Sequence, residues 1–165
     1  MRKQLLCLIA CSSLVASSVA SADEARPDPW GPTCSDIRET ATDLYDSLWD
    51  FGSAVEDVEP RSYVQWLALS ARGSIDYVIR EARRIYNIYP RDDDRCRRYI
   101  QRFRNYTVRQ FCPHLLNLRE AFRDDPDLGR HKEVFEAWRD VVENWEGYRD
   151  TVGVVGCEEH PDDSR

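Results

Sequence analysis

Six cysteines carry the most legible chemistry in this 165-residue chain. Cys7 and Cys11 lie in the first 22 residues, and Cys34, Cys96, Cys112 and Cys157 are spread over the rest. Outside the cytosol an even set of thiols reads as a disulfide framework. No two of these four have the close spacing of a zinc site, so no metal is expected on them. The three histidines, His114, His131 and His160, form no ligand spacing of their own. His114 after Pro113 is the one weighed as a ligand or catalyst, and an ordinary hydrogen-bonded or solvated histidine is the preferred reading.

A second constellation is basic. Arg95, Arg97, Arg98, Arg102, Arg104 and Arg109 crowd one segment, with Tyr99, Phe103 and Tyr106 interleaved. Guanidinium groups hold carboxylates and phosphates in planar, bidentate fashion, and aromatic rings between them can stack on a ligand. The nine residues make a candidate anion-binding face. The competing reading is that these arginines balance acidic helices beside them, and it is the favoured one.

Other chemistry is missing from the pattern. There is no Gly-x-Ser-x-Gly elbow, no glycine-rich phosphate loop and no Cys-x-x-Cys-His haem attachment. No catalytic residue and no cofactor is assigned. Asn105-Tyr106-Thr107 is a glycosylation triplet that matters only where the source glycosylates.

The elements that must position these residues begin after residue 22. Arg2 and Lys3, an apolar and small-residue run, and Ala20-Ser21-Ala22 make a secretory signal with cleavage after Ala22. The alternative, lipidation at Cys11 behind Leu8-Ile9-Ala10, is disfavoured by the short apolar run before it. The expected domains are a signal over 1–22, one folded domain over 23–157 and an acidic tail over 158–165. No other stretch approaches the roughly 18 apolar residues of a membrane span.

Apolar residues at spacings of three and four predict helices over about 33–58, 60–89, a third arm from near 92, and 129–152. Thr33 and Asp36 form a capping-box-like start, and Pro60 suits a first helical position. Pro113 is expected to end or kink the third arm. The fold class is therefore all-α, an antiparallel bundle of four or five helices.

Counting levels along such a bundle pairs the cysteines. Cys96 and Cys112 are separated by roughly 24 Å along one helix, too far to bond. Cys34 falls level with Cys96, and Cys112 with Cys157 follows partly by elimination because the tail must turn back; this set is preferred to Cys34–Cys112 with Cys96–Cys157.

Charge is segregated. Residues 23–60 hold 11 acids against two arginines, residues 61–119 hold 13 arginines against five acids, and residues 120–165 hold 14 acids against six bases. Acidic outer helices flanking basic inner ones is the expected arrangement. The whole reads as an exported, non-enzymatic binding protein with a protein partner. The alternatives are a carrier with a ligand site in the bundle core and an unrecognised enzyme. An anionic ligand is the other partner class considered. Nucleic acid is disfavoured, because the mature chain is acidic and exported.

Overall fold

The computed structural model describes residues 31–89 and 93–157. The segments expected to be a signal and an acidic tail, and His160, lie outside them. Among the described residues every regular element is helical.

Helix α1 spans Cys34–Val58 and opens on the expected capping box. The Asp36 amide donates to Thr33 Oγ1 at 3.1 Å, and the Thr33 amide donates to Asp36 Oδ2 at 2.9 Å. Helix α2 spans Tyr63–Ile88, three residues later than Pro60 suggests. Arg61 takes a left-handed φ of 67°, which breaks the chain direction. Ser62 then caps the helix by accepting from the Val64 amide.

The third arm has four parts: a 3₁₀ turn over Asp93–Tyr99, α3 over Ile100–Tyr106, a π turn over Thr107–Phe111 and α4 over Cys112–Arg123. Pro113 does not end it. Proline offers no amide to the i−4 carbonyl and its ring crowds that carbonyl. The widened turn just before Pro113 accommodates both defects, with the Cys112 amide donating to the Thr107 carbonyl. A short 3₁₀ turn, Leu128–Arg130, precedes helix α5, Lys132–Val152. The last helix thus starts later than 129, because Asp125 Oδ1 ties down the Leu128 amide in a turn.

Contacts fix an antiparallel order throughout. Gly52 packs on Ala68, and Arg72 lies over Tyr45 and Trp49, which sets α1 against α2. Ser74 and Glu81 meet Tyr106 and Arg102, which sets α2 against α3. Phe122 meets Trp138 and Phe111 meets Trp145, which sets the third arm against α5. α1 lies between α2 and α5, and α2 also packs on α4.

Both preferred disulfides form, the first as level counting expects and the second as elimination expects. Cys34 bonds to Cys96 and Cys112 bonds to Cys157. Gly153, at φ 70°, gives α5 its left-handed cap, and the Val154 amide returns to the Arg149 carbonyl. That reversal carries Cys157 back to Cys112.

Candidate functional site

The basic constellation is pulled apart by the fold. Phe103, expected among the exposed aromatics, is 1% exposed and belongs to the core. Residue 103 shares the inward stripe of its helix with buried Thr107 and Phe111, so its ring has no access to a surface ligand. Tyr99 and Tyr106 are half-buried against the core. Tyr106 stacks on Tyr77 with ring centres 4.2 Å apart, and its hydroxyl donates to the Ser74 carbonyl. Burial, ahead of the nearby Tyr77, raises the Tyr106 pKa.

Several arginines serve the fold itself. Arg95 lies over the Tyr89 ring at 4.2 Å. Arg97 donates to the Gly31 carbonyl, and Arg104 donates to the Val152 carbonyl at 2.6 Å. Arg102 donates to the Tyr77 hydroxyl at 3.1 Å and pairs with Glu81 at 3.1 Å. Arg98 and Arg109 are exposed.

Glu81 is the hub of this polar cluster, only 7% exposed. Arg84 grips it with two bonds, at 2.8 and 2.7 Å. The Arg84 bond and the Arg102 and Arg84 charges outweigh burial, so the carboxyl sits below its ordinary value. The cluster holds α2 to α3 and is internally satisfied.

The expected alternation of charge holds on one side only. Acidic α1 lies beside basic α2, yet its other neighbour is α5, which is also acidic. Asp43, Asp46 and Asp50 face Asp140 and Glu143 across a shallow furrow. Among the described residues no three acids, histidines or cysteines come together in a group that could hold a metal ion. His131 is the N-cap residue of α5, and His114 is half-buried in α4.

A different furrow has the features of a binding surface. Along the seam between α4 and α5 the backbones stand apart, and aromatic side chains bridge the gap at its two ends. Phe51, Phe122 and Trp138 close one end, with ring centres 5.1–5.3 Å apart. Phe111, Trp145 and Tyr148 close the other. Tyr148 is fully buried, and its hydroxyl meets Thr107 Oγ1 at 2.7 Å. Burial pushes its pKa far above the usual tyrosine range.

Between these clusters runs a furrow of about 350 Å³ lined by Leu115, Leu116, Trp138, Val141, Val142 and Trp145. Arg119, Arg149 and the Val155–Cys157 return strand complete its lining. Of this lining Val142 is 38% and Val155 73% exposed, and Phe135, three residues before Trp138 on α5, is 55% exposed.

In the sequence, Val134, Phe135, Trp138, Val141, Val142, Trp145 and Tyr148 form one apolar pattern along the last helix. The signal that separates them is arc width. Val134, Val141, Tyr148 and Val152 already fill the core-facing stripe. Phe135, Trp138, Val142 and Trp145 form a second stripe beside it, at spacings of three, four and three. A helix that needs only one buried face has no use for two. Compared with family models, curated proteins and solved structures, the chain matches none of them.

Proposed function

We propose that the chain is an exported, non-enzymatic binding protein that holds a protein partner along the α4/α5 furrow. The observation that carries this reading is the second apolar stripe of α5: Trp138 and Trp145 lean on aromatic rings of other elements, and Val142 between them is left on an open apolar furrow. Apolar surface gathered in this way is costly to leave wet, and in other proteins it marks a place of association. Export is supported by the signal at 1–22 and by two disulfides, which persist in oxidising compartments. No described helix is long and apolar enough to cross a membrane.

The carrier reading places a ligand inside the bundle. Phe51, Phe103, Phe111 and Tyr148 fill that interior, so a ligand there would have to displace them. The anion-face reading is weakened by the internal bonds of Arg97, Arg102 and Arg104. Arg98 and Arg109 remain for it.

Site-specific photocrosslinking tests the main reading in the native exterior fraction. A photoreactive residue at position 142 is expected to trap a discrete protein, and one at exposed Glu56 is not. Equal trapping at both positions would remove the furrow from the proposal. Mass spectrometry of the exported protein is expected to show a start at Asp23. A start at lipidated Cys11 would move the protein to a membrane surface.

A further inference from the structure

We infer that the Cys112–Cys157 disulfide is a redox-sensitive fastener on the α4/α5 furrow. A dithiol reductant opens it first and releases the Val155–Cys157 wall, while Cys34–Cys96 stays closed. This rests on the reading of the furrow as a partner site and adds its regulation, but it is tested with no partner present.

Access separates the two bonds. Cys34, Cys96 and Cys112 are each no more than 1% exposed. Cys157 is partly exposed and lines the open furrow. Thiol–disulfide exchange needs a thiolate to reach one of the two sulfurs. Both ends of Cys34–Cys96 lie in the core, so that bond offers no approach. Cys112–Cys157 offers one, from the furrow side.

The two bonds also hold different things. Around Cys34 and Cys96 the chain is tied a second time without sulfur. The Thr33–Asp36 capping box fixes the start of α1, and Arg97 donates to the Gly31 carbonyl. Loss of that disulfide would leave these ties in place. The segment that returns from α5 lacks a second tie. Its last hydrogen bond runs from the Val154 amide to the Arg149 carbonyl, and Val154 is buried. Beyond that point, among the described residues, Val155, Gly156 and Cys157 make no hydrogen bond, and Cys157 is joined to α4 by its disulfide. Val155 points largely into solvent, so packing holds it weakly. The wall is thus anchored at Val154 on one side and by one S–S bond on the other.

The exchange balances with a dithiol as co-reactant. One of its thiolates attacks the Cys157 sulfur, and the electron pair of the S–S bond leaves on the Cys112 sulfur, which takes up a proton. The second thiol of the reductant then displaces Cys157 from the mixed disulfide. The protein gains two electrons and two protons, and the dithiol ends as a disulfide. Cys112 is left as a buried thiol, which behaves as a small apolar side chain, so α4 keeps its packing while the wall swings free.

The test treats the oxidised, 15N-labelled chain with dithiothreitol. Freed thiols are alkylated with iodoacetamide and mapped by mass spectrometry. Cys112 and Cys157 are expected to be labelled at least about tenfold faster than Cys34 and Cys96. At the stage where only the first bond is open, the backbone order parameters of Val155 and Gly156 should fall from near 0.85 to below about 0.6, with Val152 unchanged. The Trp145 indole resonance should move and that of Trp66 should not. Circular dichroism should keep its helical signal. The double variant Cys112→Ala with Cys157→Ser should show the low order parameters with no reductant added.

Equal labelling of all four cysteines, or earlier labelling of Cys34 and Cys96, would overturn the inference. So would unchanged order parameters in the selectively reduced protein, which would mean that the wall is held by packing. Loss of the helical signal together with the first bond would also overturn it, because the bond would then hold the whole fold. None of these outcomes bears on the partner reading, which stands or falls with crosslinking at position 142.

Discussion

Gly153 is held by two constraints at once. Its φ of 70° suits only a residue without a β-carbon, and the Arg104 guanidinium occupies the space where that carbon would sit. Gly153→Ala should therefore cost about 1–3 kcal/mol, read as a lower urea midpoint with an unchanged slope. A Gly147→Ala control, with nothing near its added carbon, should be neutral or mildly stabilising, since alanine is the better helix former. Glu81 and the phenols of half-buried Tyr106 and buried Tyr148 set the pH limits. The folded-state pKa of Glu81 is depressed, so its contribution is present above the ordinary 4.5 and is lost as pH falls through the lower folded value. Those of Tyr106 and Tyr148 are raised, so their contribution is present below the ordinary 10.0 and is lost as pH rises above it. Urea unfolding across pH should show a plateau between about 5 and 10, and Glu81→Gln should lower the plateau and flatten its acid edge. The residue types of this cluster are legible in the sequence, but their partners are not. Arg97, Arg102 and Arg104 sit at spacings that suit a ligand-binding face. Whether each meets a carbonyl, a carboxylate or water is decided by elements dozens of residues away.

At the level of elements the sequence is most informative where one face meets one core. The α1 stripe and the Thr33–Asp36 cap follow from local spacing and are found where the spacing puts them, and the α2 stripe is buried at Leu67, Ala71, Val78, Ala82 and Ile85, whereas Trp66 and Tyr89, which share its spacing, are exposed. The third arm departs because Pro113 has two outcomes, a break or a widened turn. The outcome depends on packing: Thr107, at the first residue of that turn, donates its hydroxyl to the Phe103 carbonyl and accepts from the Tyr148 hydroxyl. The acidic α1/α5 pair departs for another reason. Opposite charges favour a neighbour weakly, about 0–1 kcal/mol per exposed pair, whereas Phe51 against Trp138 and the burial of Val134 and Val141 contribute more. Packing wins, and carboxylates are left facing each other. Asp46→Lys should relieve that opposition and raise stability by roughly 0.3–1 kcal/mol. Thermal unfolding at low salt should show the gain, and added salt should shrink it. No gain at low salt would mean that the carboxylates are too well solvated to repel.

For the whole molecule, two staples and one seam matter most. The disulfides close loops with sequence separations of 62 and 45. Loop entropy grows slowly with length, so the two should contribute within roughly 0.3 kcal/mol of each other, each about 2–4 kcal/mol. Paired Cys→Ala variants compared by urea unfolding should show near-equal losses. A much larger loss for Cys112 and Cys157 would indicate that the return strand also holds the furrow in shape. The pairing is legible because antiparallel helices of known length place cysteines at countable levels. The open seam is not legible in the same way. It depends on how far the bridging aromatics hold α4 from α5, and no spacing rule states that distance.

The two staples also give the chain a particular connectivity under proteolysis. One covalent ring runs from Cys34 to Cys96 and the other from Cys112 to Cys157, and residues 97–111 are the sole backbone link between them. A cut inside either ring leaves every large piece attached, whereas one cut in the link frees two halves. That link contains Arg97, Arg98, Arg102, Arg104 and Arg109, each a tryptic site. The carbonyls of Gly31 and Val152 and the Glu81 carboxylate hold three of these side chains against the body of the protein. Arginines that suggest a ligand-binding surface thus also act as latches on the segment where a single scission matters most. Limited trypsinolysis of the oxidised protein should leave one band on a non-reducing gel until cleavage reaches Arg98 or Arg109, and replacing both with glutamine should keep the halves together for longer.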